Sequence, residues 1–132
     1  MKVITLDDQV SISDQISSSD VADLKERGIE IVVCNRPDGE VAGQADFEDI
    51  AQACQDLGLE SHYIAFVGDQ IESVHVESFL KLLQSGRKAH AYCRSGARSS
   101  KLWAQTRFRQ GMESTELKER AALAGYDVSQ HV

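Results

Sequence analysis

Cys93-Arg94-Ser95-Gly96-Ala97-Arg98-Ser99 gathers a nucleophile, two cations, two hydroxyls and a glycine into seven residues. An apolar run, Ala89 to Tyr92, precedes it and reads as a short buried strand. The pattern Leu102, Trp103, Thr106 follows and predicts a helix that begins near Ser99. A cysteine is thus expected where a strand hands over to a helix. Backbone N–H groups of such a loop turn inward, and the helix N-terminus adds partial positive charge. Both favour an anion held by Arg94, Ser95, Gly96, Ala97, Arg98 and Ser99, and Cys93 as a thiolate. Arg98 can fork onto an oxyanion, and Gly96 lets the backbone curl.

The charge distribution agrees with an anion site. The 132 residues carry a net charge of −7, which argues against general binding to nucleic acid or an anionic membrane. Yet Ser78 to Met112 holds no Asp or Glu and eight of the fourteen basic residues, centred on the cysteine loop. That suits a small anionic substrate. Lys81, Arg107 and Arg109 are expected only to solvate helix faces. The length suits one domain, residues 1–132, around one core. No apolar run is long enough to span a membrane, and the first residues meet acid too soon for a signal peptide. Three cysteines, Cys34, Cys54 and Cys93, are too few for a disulfide framework, so a reduced, cytoplasmic protein is expected. His62, His75, His90 and His131 lack metal-ligand spacing, and no nucleotide motif is present, so neither metal nor cofactor is expected. His90 reads as a core histidine bonded to backbone, and Cys54 as core packing.

The elements that must position the loop alternate. Strands are predicted over Lys2 to Thr5, Val10 to Ile12, Ile29 to Cys34, His62 to Val67 and Ala89 to Tyr92. Helices are predicted after Ser17-Ser18-Ser19-Asp20, with Ser17 and Asp20 spaced as a capping box, and over Ala45 to Leu57 and Ser73 to Gln84. Two more follow, from near Ser99 to Gln110 and from Ser114 to Ala124, the last carrying Leu117, Ala121 and Leu123. This order implies an α/β fold, a mainly parallel central sheet with helices on both faces. Ligands of such sheets sit outside the carboxyl ends of the strands. Cys34, Val67 and Cys93 all end predicted strands, which brings Arg36, Asp38 and Asp69 to the same rim as Cys93.

The cysteine loop resembles that of single-domain rhodaneses, which are sulfurtransferases. It also resembles the phosphate loop of protein tyrosine phosphatases, with four residues between cysteine and arginine instead of five, and Tyr92 where histidine is usual. Three segments, Ile12-Ser13-Asp14-Gln15, Val33 to Glu40 and Tyr92 to Ser99, together resemble the β-lactamase hydrolase-like protein, phosphatase-like domain family, over residues 3 to 110. The resemblance implies a tyrosine- or dual-specificity-phosphatase-like fold carrying a loop of rhodanese length. Some members of that family are fused to a metallo-β-lactamase-type domain linked to persulfide oxidation.

Three functions fit this loop. In sulfur transfer, Cys93 takes sulfur from a sulfane donor as a persulfide and passes it to an acceptor. The tight loop suits one sulfur atom, and sulfite leaves without a proton. In phosphoester hydrolysis, Cys93 becomes a phosphocysteine, and an alkoxide leaving group needs an acid, for which Asp69 is the best candidate and Asp38 the next, although Asp69 reads first as a turn or helix-capping residue. In the third, Cys93 is a redox or anion sensor without turnover; neither other cysteine stands out as a resolving thiol, and Cys34, which ends a strand on the same rim, reads first as a buried strand cysteine. The loop length places the sulfurtransferase ahead of the phosphatase.

Overall fold

The computed structural model describes residues 1–132. Five strands form one sheet: β1 (Ile4–Thr5), β2 (Val10–Ser13), β3 (Ile31–Cys34), β4 (Glu60–Tyr63) and β5 (Ala89–Tyr92). Their order is β1-β2-β5-β3-β4, antiparallel between β1 and β2 and parallel elsewhere. The helices are α1 (Asp20–Glu26), α2 (Phe47–Leu57), α3 (Ser73–Leu83), α4 (Ala97–Arg109) and α5 (Ser114–Leu123).

The period of two along β3 sorts the core into two layers. Ile31 and Val33 face α3, α4 and α5, where Phe79, Leu102, Trp103 and Leu117 are buried. Val32 and Cys34 face α1 and α2, where Leu24, Ile50 and Cys54 are buried. Helices therefore cover both faces, and the α/β sandwich expected from the element order is the one that forms. Cys54 is core packing, fully buried.

Several boundaries differ from expectation. The fourth strand lies over Glu60–Tyr63, not over residues 62–67, because the parallel register pairs Ile31 with Glu60 and Cys34 with Tyr63. Its Glu60, Ser61 and His62 are polar on a half-buried edge, so no apolar run marks it. Val67 consequently ends no strand and is exposed. Helix α1 starts at Asp20, whose carboxylate accepts from the Ser17 backbone N–H at 2.8 Å; the Ser17 hydroxyl donates to that same carboxylate rather than capping the helix. Leu123 faces solvent. Arg107 is not a solvated cation: it clamps Asp7, itself bonded to Trp103 Nε1, at 2.9 Å with both side chains largely buried.

His90 is buried as expected, but its partners are not backbone. Its ring lies between the Ser11 hydroxyl at Nδ1 and the Ser13 hydroxyl at Nε2, both at 2.8 Å. Ser13 already donates its hydroxyl proton to Asp14 O, so it accepts from Nε2–H, and Nδ1 accepts from Ser11. Burial holds the ring neutral, with its pKa pushed down to about 3. This polar stitch fixes β2 against β5 just before the cysteine.

Candidate active site

The parallel register brings the carboxyl ends of β2, β3, β4 and β5 to one rim. Cys93 leaves β5 there, and its N–H donates to Ser13 O at 3.4 Å. Gly96 then adopts φ +94°, and its N–H donates to Cys93 Sγ at 3.1 Å. A left-handed backbone at this position favours glycine, and a Cβ added here would fall on the Tyr126 hydroxyl. The turn at Gly96 lets α4 begin at Ala97, two residues before the expected start. The helix N-terminus therefore points into the loop, an arrangement whose free N–H groups and partial charge can stabilise an anion.

The loop is held from below by a buried polar staple. Ser99 donates its hydroxyl to Asn35 Oδ1 at 2.8 Å, and Asn35 Nδ2 donates to Ile64 O at 2.8 Å. The Asn35 N–H donates to Tyr92 O at 2.9 Å. Ser99 thus belongs to the scaffold and turns its hydroxyl away from the loop's mouth. Ser95 O accepts from the Tyr126 hydroxyl at 2.8 Å, which ties the segment after α5 to the loop.

Arg98 lies largely buried beside the loop, with Cys93 among the groups that favour its charged form after Glu40. It donates two hydrogen bonds to Glu40, at 2.8 and 2.9 Å, and one to Phe66 O at 3.2 Å. Glu40 also accepts from Arg36 Nε at 2.9 Å, and Arg36 Nη1 donates to Gln15 Oε1 at 3.0 Å. One carboxylate therefore fixes two guanidinium groups. The hydrogen bonds from Arg98 and then Arg36 hold the Glu40 pKa down to about 2. Glu40 was not among the residues that sequence singled out. Its signal was the Arg36-Pro37-Asp38-Gly39-Glu40 turn, which folds back to place position 40 beside position 36.

A depressed carboxyl pKa means that Glu40 stabilises the fold fully above its ordinary value of 4.5 and loses that contribution as pH falls toward about 2. In denaturant titrations, wild type is expected to exceed Glu40→Gln in stability at neutral pH, with the gap closing across that acid range. A gap independent of pH would contradict the ion-pair account.

The other rim residues have partners of their own. Asp38 caps α2, accepting from the Phe47 N–H at 2.9 Å, while its own N–H donates to the Tyr63 hydroxyl. Asp69 is exposed and paired with Lys101 Nζ at 2.6 Å, which lowers its pKa. Lys101 lies one turn beyond Arg98 on α4, so Asp69 faces the same side of that helix. Cys34 is buried and donates to Arg36 O at 3.2 Å, and burial raises its pKa. Arg94 is exposed at the edge of the loop.

A model of the phosphatase-like domain of β-lactamase hydrolase-like proteins matches residues 2–109. The chain belongs to that family. The match runs from before β1 to the end of α4, and so includes the cysteine loop, Arg36, Glu40 and Asp69. Among curated relatives, a β-lactamase hydrolase-like protein of Xylella fastidiosa is 23% identical over 134 residues, covering 100% of this chain and 31% of the relative. The chain thus spans about a third of the length of the curated relatives it matches. Among solved structures, a candidate phosphatase from Neisseria meningitidis Z2491 is 33% identical, with a TM-score of 0.84, covering 98% of this chain and 93% of that one. Pseudomonas aeruginosa TpbA, as a cysteine-to-serine variant in complex with phosphotyrosine, superposes with a TM-score of 0.65 at 19% identity. That alignment covers 89% of this chain and 70% of TpbA, and shows a common fold. The phosphatase-like fold is therefore established for this family member. No helix in it is long and apolar enough to cross a membrane.

Proposed function

We propose that this phosphatase-like domain hydrolyses phosphate monoesters through a phosphocysteine at Cys93. The observation that carries this reading is the Gly96 N–H bonded to Cys93 Sγ at the start of α4, in a domain of a phosphatase-like family. Cys93 Sγ attacks phosphorus, the P–O bond to the ester oxygen breaks, and water then attacks the thiophosphate to release inorganic phosphate and the thiolate. The loop N–H groups and Arg98 hold the phosphoryl oxygens as charge redistributes. The phosphatase reading now stands ahead of sulfur transfer, since both the family match and the structural neighbours are phosphatase-like and none points specifically to a sulfurtransferase.

Asp69 sets the substrate class. Its ion pair with Lys101 keeps the carboxylate ionised at neutral pH, so it is a poor proton donor as it stands. Aryl phosphates, whose leaving phenolate is far less basic than an alkoxide and so depends less on a proton donor, are the substrates that this arrangement favours. The phosphotyrosine bound by TpbA is of that class. Asp69→Asn is expected to leave para-nitrophenyl phosphate hydrolysis nearly unchanged. A loss of about 10²-fold, the usual contribution of a general acid, would instead make Asp69 the proton donor.

Sulfur transfer is kept as the second reading on one observation. The loop has only four residues between Cys93 and Arg98, and Ser99, the next residue, is turned inward to Asn35. A parallel assay with para-nitrophenyl phosphate and with thiosulfate plus cyanide separates the two. Phosphate release is expected; thiocyanate formation without phosphate release would promote the sulfurtransferase.

A further inference from the structure

Seven of the eight arginines are paired with a carboxylate: Arg27, Arg36, Arg87, Arg98, Arg107, Arg109 and Arg120. Arg94 is the exception, and it follows the nucleophilic cysteine directly. It lines a cleft of about 550 Å³, together with Ser95, Lys2, Asp14 and Tyr126. Lys2 also lacks a carboxylate partner for its ammonium group, although its backbone N–H donates to Asp14 Oδ1 at 2.9 Å. The cleft adjoins the loop through Ser95, whose carbonyl accepts from Tyr126, so the two sites share a wall. A volume of this size holds a substituent well beyond a phosphoryl group.

We infer that this cleft is a specificity subsite that receives a second anionic group of the substrate, bound by Arg94 and Lys2 against the Tyr126 wall. The inference rests on the phosphatase reading for the first anion and adds the chemistry of the remainder of the substrate. Two free cations against one carboxylate give the cleft a net positive charge on an otherwise acidic protein. Asp14 opposes an incoming anion, which fixes the sign of its own effect. Tyr126 lies beyond the 2–109 region shared with the family, so this wall is supplied by the segment after α5.

The test compares binding of meta- and para-carboxyphenylphosphonate with that of the matching neutral carboxamides by isothermal titration calorimetry. At least one carboxylate is expected to bind about tenfold more tightly than its carboxamide, the scale of one charge-assisted hydrogen bond. Arg94→Gln should remove that preference, and Asp14→Asn should enlarge it. The carboxamide serves as the internal reference, so any effect of Arg94 on the phosphonate itself divides out. No preference in wild type, or Arg94→Gln weakening both ligands by one factor, would overturn the subsite. The readout is independent of turnover. A preference without hydrolysis would refute the phosphatase reading alone, and hydrolysis without a preference would refute the subsite alone.

Discussion

Cys93→Ser is expected to reduce aryl phosphate hydrolysis to the rate without enzyme. A serine hydroxyl fits the space of the thiol and can still accept from the Gly96 N–H, so the loop keeps its shape. The hydroxyl is not ionised by one N–H group and a helix terminus, however, and no side chain within the loop is a base that could take its proton. Nucleophilic power is lost while the anion cup remains, so phosphonate binding should survive in the variant. Neither of the other thiols can substitute. Burial raises the Cys34 pKa and pushes that of Cys54 up to about 11, and both lie in the core layer beneath α1 and α2. Full activity in Cys93→Ser, measured as phosphate release, would remove Cys93 from the mechanism. Loss of both turnover and phosphonate binding would mean that the substitution had collapsed the cup.

The second large effect is expected at Arg98. Arg98→Lys keeps the positive charge but loses the fork that bonds Glu40 through two nitrogens and Phe66 O through one of them. A lysine ammonium has no planar second edge to offer a phosphoryl oxygen while it remains paired with Glu40. The rate should fall by about 10²-fold, the size of losing one preorganised oxyanion donor. The loss should appear in kcat, because the transition state gains more from the fork than the ground state does. An unchanged kcat would assign Arg98 to the scaffold, as the partner of Glu40 alone.

Local sequence made the strand-loop-helix junction around Cys93 legible. The apolar run Ala89–Tyr92 is β5, and the cysteine, glycine and arginine stand in the loop and first helical turn after it. The alternation of strands and helices was equally legible, because β-branched runs such as Ile31–Cys34 are buried on both faces. The half-buried edge strand β4 was misplaced, since its order comes from pairing with β3 and not from its own polar residues. Glu40 is legible in sequence only as the end of a turn, because its importance lies in reaching Arg98 across 58 positions. Tyr126 was missed for the same reason: only the folded chain brings it against Ser95 and Gly96. Asp38 showed the reverse. Its position at the rim suggested chemistry, whereas its carboxylate caps α2.

Loop length alone favoured sulfur transfer, since a shorter ring encloses a smaller group. The structure adds that Ser99 is turned inward and that Arg98, the residue before it, lies beside the loop with its guanidinium held by Glu40. A shorter loop can therefore still present a guanidinium to an oxyanion.

The covalent adduct on Cys93 discriminates most directly. Wild-type protein is mixed with para-nitrophenyl phosphate, quenched within the first turnover under conditions that preserve thiophosphate esters, digested, and the Cys93 peptide is weighed by mass spectrometry. One phosphoryl group is expected on that peptide, absent in Cys93→Ser and lost on further incubation as inorganic phosphate appears. An unmodified Cys93 peptide throughout turnover, or an added sulfur after thiosulfate with no phosphoryl group after the aryl ester, would contradict the phosphocysteine mechanism.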